Sequence, residues 1–154
     1  MLYRDFLYQE FLQEFSIVFR FPKPNKKLQL FKQYYNWDDQ IYRDFMISMF
    51  MKLEPRFENK GNVIFGELDE INEIIFHQKG KIDIGFEITR KHYMVLRIEK
   101  GSIVGAYNCI TNKPNQFVYK AISQVEGYML RKQAWVELSE EFDEIADILK
   151  QNVK

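Results

Sequence analysis

A chain of 154 residues has room for one domain and an appendage. Hydrophobic residues make up 46% and aromatic residues 16%, enough for a ring-rich core, and 22 basic against 22 acidic side chains leave no dense cationic stripe for nucleic acid. The single cysteine, Cys109, excludes an internal disulfide and a multi-cysteine metal site, which fits a reducing compartment.

No apolar run approaches the ~20 residues that cross a bilayer. Arg4 and Asp5 interrupt the opening residues, which do not read as a signal peptide. Phe6, Leu7, Phe11, Phe15, Val18 and Phe19 recur at helical spacing and predict an amphipathic helix, stopped by Pro22 and Pro24. Its flanking charges are mixed, so the phenylalanine stripe reads as a packing face for the rest of the chain or a neighbouring subunit. A short helix is expected from Leu28 to about Tyr35. Trp37-Asp38-Asp39 forms a turn that caps a helix from about Gln40 to Leu53, with Ile41, Phe45, Ile47, Met49 and Phe50 on its apolar face and Pro55 at its end.

The period then changes from helical to alternating. Short strands are expected at Val63–Phe65, Glu73–His77, Ile82–Ile88, Tyr93–Ile98, Phe117–Ile122 and Gly127–Leu130, with turn residues between them. From Gln133 helical spacing returns through Trp135, Leu138, Phe142, Ile145 and Leu149. The expected fold is α+β: N-terminal helices, an antiparallel jelly-roll-like β-roll with a short internal helix, and a C-terminal helix.

Four phrases give this order a family likeness. They are the helix Phe45–Glu54 running into Phe57–Ile64, the strand pair Glu73–Ile82, the phrase Gly101-Ser102-Ile103-Val104-Gly105-Ala106, and Trp135–Phe142. Together they resemble the cyclic-nucleotide-binding domain superfamily. Asp83–Ile88, Val104–Tyr107 and Gly127–Lys132 are further similar to the voltage-gated cation channels of ciliates. The resemblance implies a helical connector over 1–37, like the end of a channel C-linker, and a β-roll with its C-terminal helix over 38–154. It implies a non-enzymatic regulatory domain of a cation channel, potassium by preference, on the cytoplasmic side of a membrane. The partners implied are the pore, the C-linker and neighbouring subunits or a second copy. Membrane contact would come only through the parent channel, and no nucleic acid is implied.

In binding members of that superfamily, backbone N–H groups of a cassette helix hold the cyclic phosphate, a glutamate accepts the ribose hydroxyl, and an arginine pairs the phosphate. Carried over to this chain, the pocket is Val104, Gly105, Ala106, Tyr107, Asn108, Asn115, Gln116 and Phe117. Ala106 stands at the glutamate position. With Pro114 fixing the register, Asn115 stands at the arginine position, and Lys113 beside it is a point charge without the guanidinium fork. Two charge-assisted bonds at ~1.5–3 kcal/mol each correspond to about two to four orders of magnitude in affinity. The expectation is a degenerate site with no cofactor, cyclic AMP and cyclic GMP disfavoured, and with Tyr107 or Phe117 filling the vacated space. The alternative is a genuine cyclic-nucleotide sensor that works through backbone contacts of the cassette. The terminal helix, from about Asp143 to Lys154, is short for the lid that covers the base in the family.

The remaining polar residues read as structure. His77 and His92 are too few and too far apart for a metal centre, and Glu67, Asp69, Glu70 and Glu73 lack the glycine-turned spacing of a calcium loop. Cys109 reads as a small buried hydrophobe. No nucleophile–base or phosphate-loop constellation is present, so no catalytic residue is expected.

Overall fold

The computed structural model describes residues 40–152. The connector helix expected over 1–37, the Trp37–Asp39 turn and the last two residues lie outside the described residues. The described chain forms two compact units: a helical one from residues 40–53 and 133–152, and a mainly β one spanning Glu54–Lys132.

The helical unit holds α1 (Gln40–Lys52), most of α3 (Lys132–Glu141) and α4 (Asp143–Asn152). Its buried side chains follow the helical period: Phe45, Met46 and Met49 on α1, Trp135 and Leu138 on α3, Ile145, Ala146 and Leu149 on α4. Phe45 meets Phe142 edge to face at 5.6 Å. Lys52 pairs Glu137 at 2.9 Å. The apolar row expected on one C-terminal helix is split between two, with the break at Phe142, though the Ala146 N–H still reaches the Phe142 carbonyl at 2.9 Å.

The β unit is an eight-stranded antiparallel roll. Strands β1 (Glu54–Glu58), β8 (Val125–Arg131), β3 (Glu73–Lys79) and β6 (Ser102–Val104) form one sheet in the order β1-β8-β3-β6. Strands β2 (Val63–Phe65), β7 (Val118–Ala121), β4 (Ile82–Ile88) and β5 (Lys91–Ile98) form the other in the order β2-β7-β4-β5. The single short helix α2 (Ala106–Thr111) follows β6 and packs on β3. Phe65, Ile71, Ile75, Phe76, Ile82 and Leu130 are among the buried core residues.

Six strands fall where alternation placed them. β1 and β6 are not among the strands expected from local pattern, β1 because Glu54-Pro55-Arg56-Phe57-Glu58 has no core-facing alternation. β1 is an edge strand held by pairing to β8, where its proline is tolerated. Arg56 fixes it further. Its Nε reaches the two Glu73 carboxylate oxygens at 3.1 and 3.2 Å, and Nη1 reaches Glu58 at 2.8 Å. Burial opposes the Arg56 charge, yet these hydrogen bonds and carboxylates leave its pKa raised.

Candidate cyclic-nucleotide site

The site is built at the turn from β6 into α2 and at the segment from α2 to β7. Val104 ends β6 in register with Ile75 of β3. Gly105 then turns the chain with φ +84° and accepts the first helical bond, from the Cys109 N–H at 2.9 Å. A Cβ there would stand 2.8 Å from the Glu73 carbonyl and 2.9 Å from Ile71 Cγ2. Glycine is therefore required by the packing of this turn on β3, whether or not an anion approaches its backbone.

Ala106 is buried at the start of α2, and its methyl has no polar atom to offer a ribose. Asn108 reaches across the end of the cassette, where Nδ2 donates to the carbonyls of Lys113 at 3.1 Å and Pro114 at 3.0 Å. Asn112, at φ +57°, closes the helix. Cys109 is buried as expected, and desolvation pushes its thiol up to about 11, with Lys132 pulling weakly the other way.

Asn115 has a role the sequence did not reveal. It is only 1% exposed. Its Nδ2 donates to the Gly66 carbonyl at 2.7 Å and also to the Phe117 carbonyl, while Oδ1 accepts the Phe117 N–H at 3.1 Å. Its backbone adds two bonds to the loop after β2: the Asn115 N–H to the Asp69 carbonyl at 3.1 Å, and the Leu68 N–H to the Asn115 carbonyl at 2.8 Å. The residue at the arginine position thus staples the 66–69 loop to the start of β7, and its side-chain amide is consumed doing so.

The two rings expected to fill the vacated space are engaged elsewhere. Tyr107 is 42% exposed; Lys113 donates to its hydroxyl at 3.0 Å and sits 5.4 Å from its ring centroid. Phe117 is 36% exposed and meets Phe86 of β4 edge-on at 5.3 Å. Neither is buried as a plug would be. Gln116 is exposed. So the structure brings Val104, Gly105, Ala106, Tyr107 and Asn108 together at one turn, while Asn115 and Phe117 belong to the β2–β7–β4 edge of the roll.

The acidic run is dispersed into separate structural duties. Glu67 accepts the Glu87 N–H at 2.7 Å, Asp69 accepts the Gly66 N–H at 2.6 Å, and Glu73 belongs to β3 with Arg56. Among the described residues no group of three or more His, Cys, Asp or Glu is placed to hold a metal ion, and no helix is long and apolar enough to cross a membrane.

With this geometry in hand, comparison with known proteins places the fold. No family model matches the sequence, and no curated protein does. Solved structures match well. A putative cyclic nucleotide-binding protein from Geobacter metallireducens superposes with a TM-score of 0.60 at 18% identity, over 83% of this chain and 90% of that one. The Thermus thermophilus catabolite activator protein gives 0.59 at 13% identity, over 75% and 54%. The regulatory domain of Toxoplasma gondii PKA, solved with cAMP, gives 0.59 at 12% identity, over 73% and 42%. The chain has the cyclic-nucleotide-binding fold: an antiparallel roll of eight strands with helices at both ends.

Proposed function

We propose that this chain is a non-catalytic regulatory domain whose nucleotide site has been given over to structure, and that it serves on the cytoplasmic side of a cation channel. The single observation behind the first part is Asn115. In binding members of the superfamily the matching position presents a cation to the cyclic phosphate. Here the side chain is buried and bonded to three backbone groups of its own roll. Ala106 supplies no acceptor in compensation, and Lys113, the cation beside Asn115 in sequence, is engaged with Tyr107. A cyclic nucleotide entering such a site would meet backbone N–H groups alone. That forgoes two charge-assisted bonds worth ~1.5–3 kcal/mol each.

The channel assignment rests on the likeness of Asp83–Ile88, Val104–Tyr107 and Gly127–Lys132 to ciliate channel sequences. In that setting the domain works by packing against pore-linked helices and neighbouring subunits, with no cofactor. The test is the parent protein. Six transmembrane helices and a pore loop upstream, with currents unchanged by cyclic AMP or cyclic GMP, are the expected finding. A parent carrying a DNA-binding domain in their place would overturn the channel reading, and currents gated by micromolar nucleotide would overturn the degenerate-site reading.

A further inference from the structure

One end of the β2-β7-β4-β5 sheet carries apolar side chains that the core does not cover. The lateral order there follows from the register: Phe65 of β2 lies beside Tyr119 of β7, Val118 beside Gly85 of β4, and Phe86 of β4 beside Tyr93 of β5. Phe117, Phe86 and Tyr93 therefore follow one another across the sheet, with Ile88 one step further out on β4. Phe86, Ile88 and Tyr93 are each between 43 and 56% exposed, and Leu68 on the neighbouring loop is 82% exposed. That loop is tied to the hairpin by the Glu87 N–H donating to the Glu67 carboxylate. Single exposed apolar residues are ordinary; a contiguous row of rings and branched side chains at one end marks a contact surface.

The backbone makes the same surface stand out. Leu68, Thr89 and Arg90 adopt φ of 65°, 53° and 63°, a region non-glycine residues rarely occupy. A two-residue hairpin turn of this hand is ordinarily built with Asn-Gly. Here it presents Arg90, followed by Lys91 and His92.

The charges at the two flanks are opposite in sign. On the β5 side stand Arg90 and Lys91, whereas Arg97 is already committed to Asp83 at 2.8 Å. On the β2 side stands the loop with Glu67 and Asp69. A surface that is apolar in the middle, basic at one flank and acidic at the other is complementary to itself when turned through a two-fold axis. Rings then meet rings, and each basic turn faces the partner's acidic loop. An anionic membrane would be repelled by Glu67 and Asp69, and a strongly acidic or basic partner would match only one flank.

We infer that this end of the roll is a self-association face whose occupant is a second copy of the same chain, docked two-fold through Phe86, Ile88, Tyr93 and Leu68. The inference is independent of nucleotide. The test is sedimentation equilibrium on the full chain and on Tyr93→Ser, Ile88→Ser, the double variant Arg90→Glu/Lys91→Glu, and Met51→Ser as a control on α1. Circular dichroism establishes that each is folded. The expected result is a concentration-dependent dimer whose dissociation constant rises tenfold or more in Tyr93→Ser, Ile88→Ser and the charge-reversed variant. Met51→Ser should leave it unchanged, and salt should weaken the wild-type dimer. If Tyr93→Ser fails to fold, the turn variant decides alone, since its side chains lie at the exposed hairpin tip. A chain that remains monomeric at all concentrations overturns the inference. So does a dimer that none of the hairpin variants weakens, because its interface then lies elsewhere.

Discussion

Replacing Asn115 tests the structural reading of the site at its most specific point. In Asn115→Ala the Gly66 carbonyl, the Phe117 carbonyl and the Phe117 N–H each lose a partner in a position that is only 1% exposed. At a net ~1 kcal/mol per hydrogen bond, with the buried groups left unpaired, the loss is about 2–4 kcal/mol. For a domain of this size that is a fall in Tm of roughly 5–15 °C. Asn115→Asp is isosteric and sharper. It keeps the acceptor for the Phe117 N–H but sets a carboxylate against two carbonyl oxygens, so at neutral pH it should be at least as damaging as alanine. Asn115→Arg, which would restore the family's phosphate-binding side chain, must place a guanidinium where the amide is enclosed, and it too should destabilise the roll. Urea unfolding followed by circular dichroism measures all three. If Asn115→Ala loses less than ~1 kcal/mol, or if Asn115→Arg folds as well as wild type and binds cyclic nucleotide, the staple is not what holds this segment.

Three further outcomes follow from the same geometry. Gly105→Ala should cost more than ~2 kcal/mol, because it combines a positive φ with a Cβ 2.8 Å from the Glu73 carbonyl; urea midpoints report it, and a neutral result would mean that β6 and α2 separate freely from β3. Cys109 holds its proton more tightly when folded than when unfolded, so its contribution is complete below about pH 9 and lost as pH rises through about 11. At 1.36 kcal/mol per pKa unit that is ~2.7 kcal/mol, and Cys109→Ala should show a correspondingly smaller decline as pH rises from about 9 through about 11. Arg56→Ala removes the cation between Glu58 and Glu73, leaves two half-buried carboxylates without their shared partner, and should lower stability by about 1–3 kcal/mol in urea unfolding; a neutral result would contradict it.

Local pattern carried much of the fold and little of the site. The alternation Ile82, Ile84, Phe86, Ile88 marked β4 correctly, since a period of two is a property of the strand itself. The same alternation did not say where the core stops covering it: Ile82 is buried, whereas Phe86 and Ile88 are exposed. β1 was not legible because its stability comes from β8 and from Glu73, far away in sequence. Gly105 stands out in the sequence only as part of the Gly101–Ala106 phrase, and the reason it must be glycine lies in the β3 backbone. Asn115 was read as an absent arginine because only its identity was visible. Its partner Gly66 is 49 residues away, and the group it binds there is a backbone carbonyl, which leaves no mark on side-chain pattern.

The central claim is that the roll keeps the cyclic-nucleotide-binding fold without keeping the binding. Titration calorimetry of the 154-residue chain with cyclic AMP and with cyclic GMP, paired with thermal melts, tests it most directly. The account predicts no saturable heat and no shift in Tm at ligand concentrations up to ~100 μM. A ligand with a micromolar dissociation constant, present at about 100 times that value, would add ~2.7 kcal/mol to the folded state. A dose-dependent rise in Tm of that size, with a matching one-site isotherm, would contradict the claim.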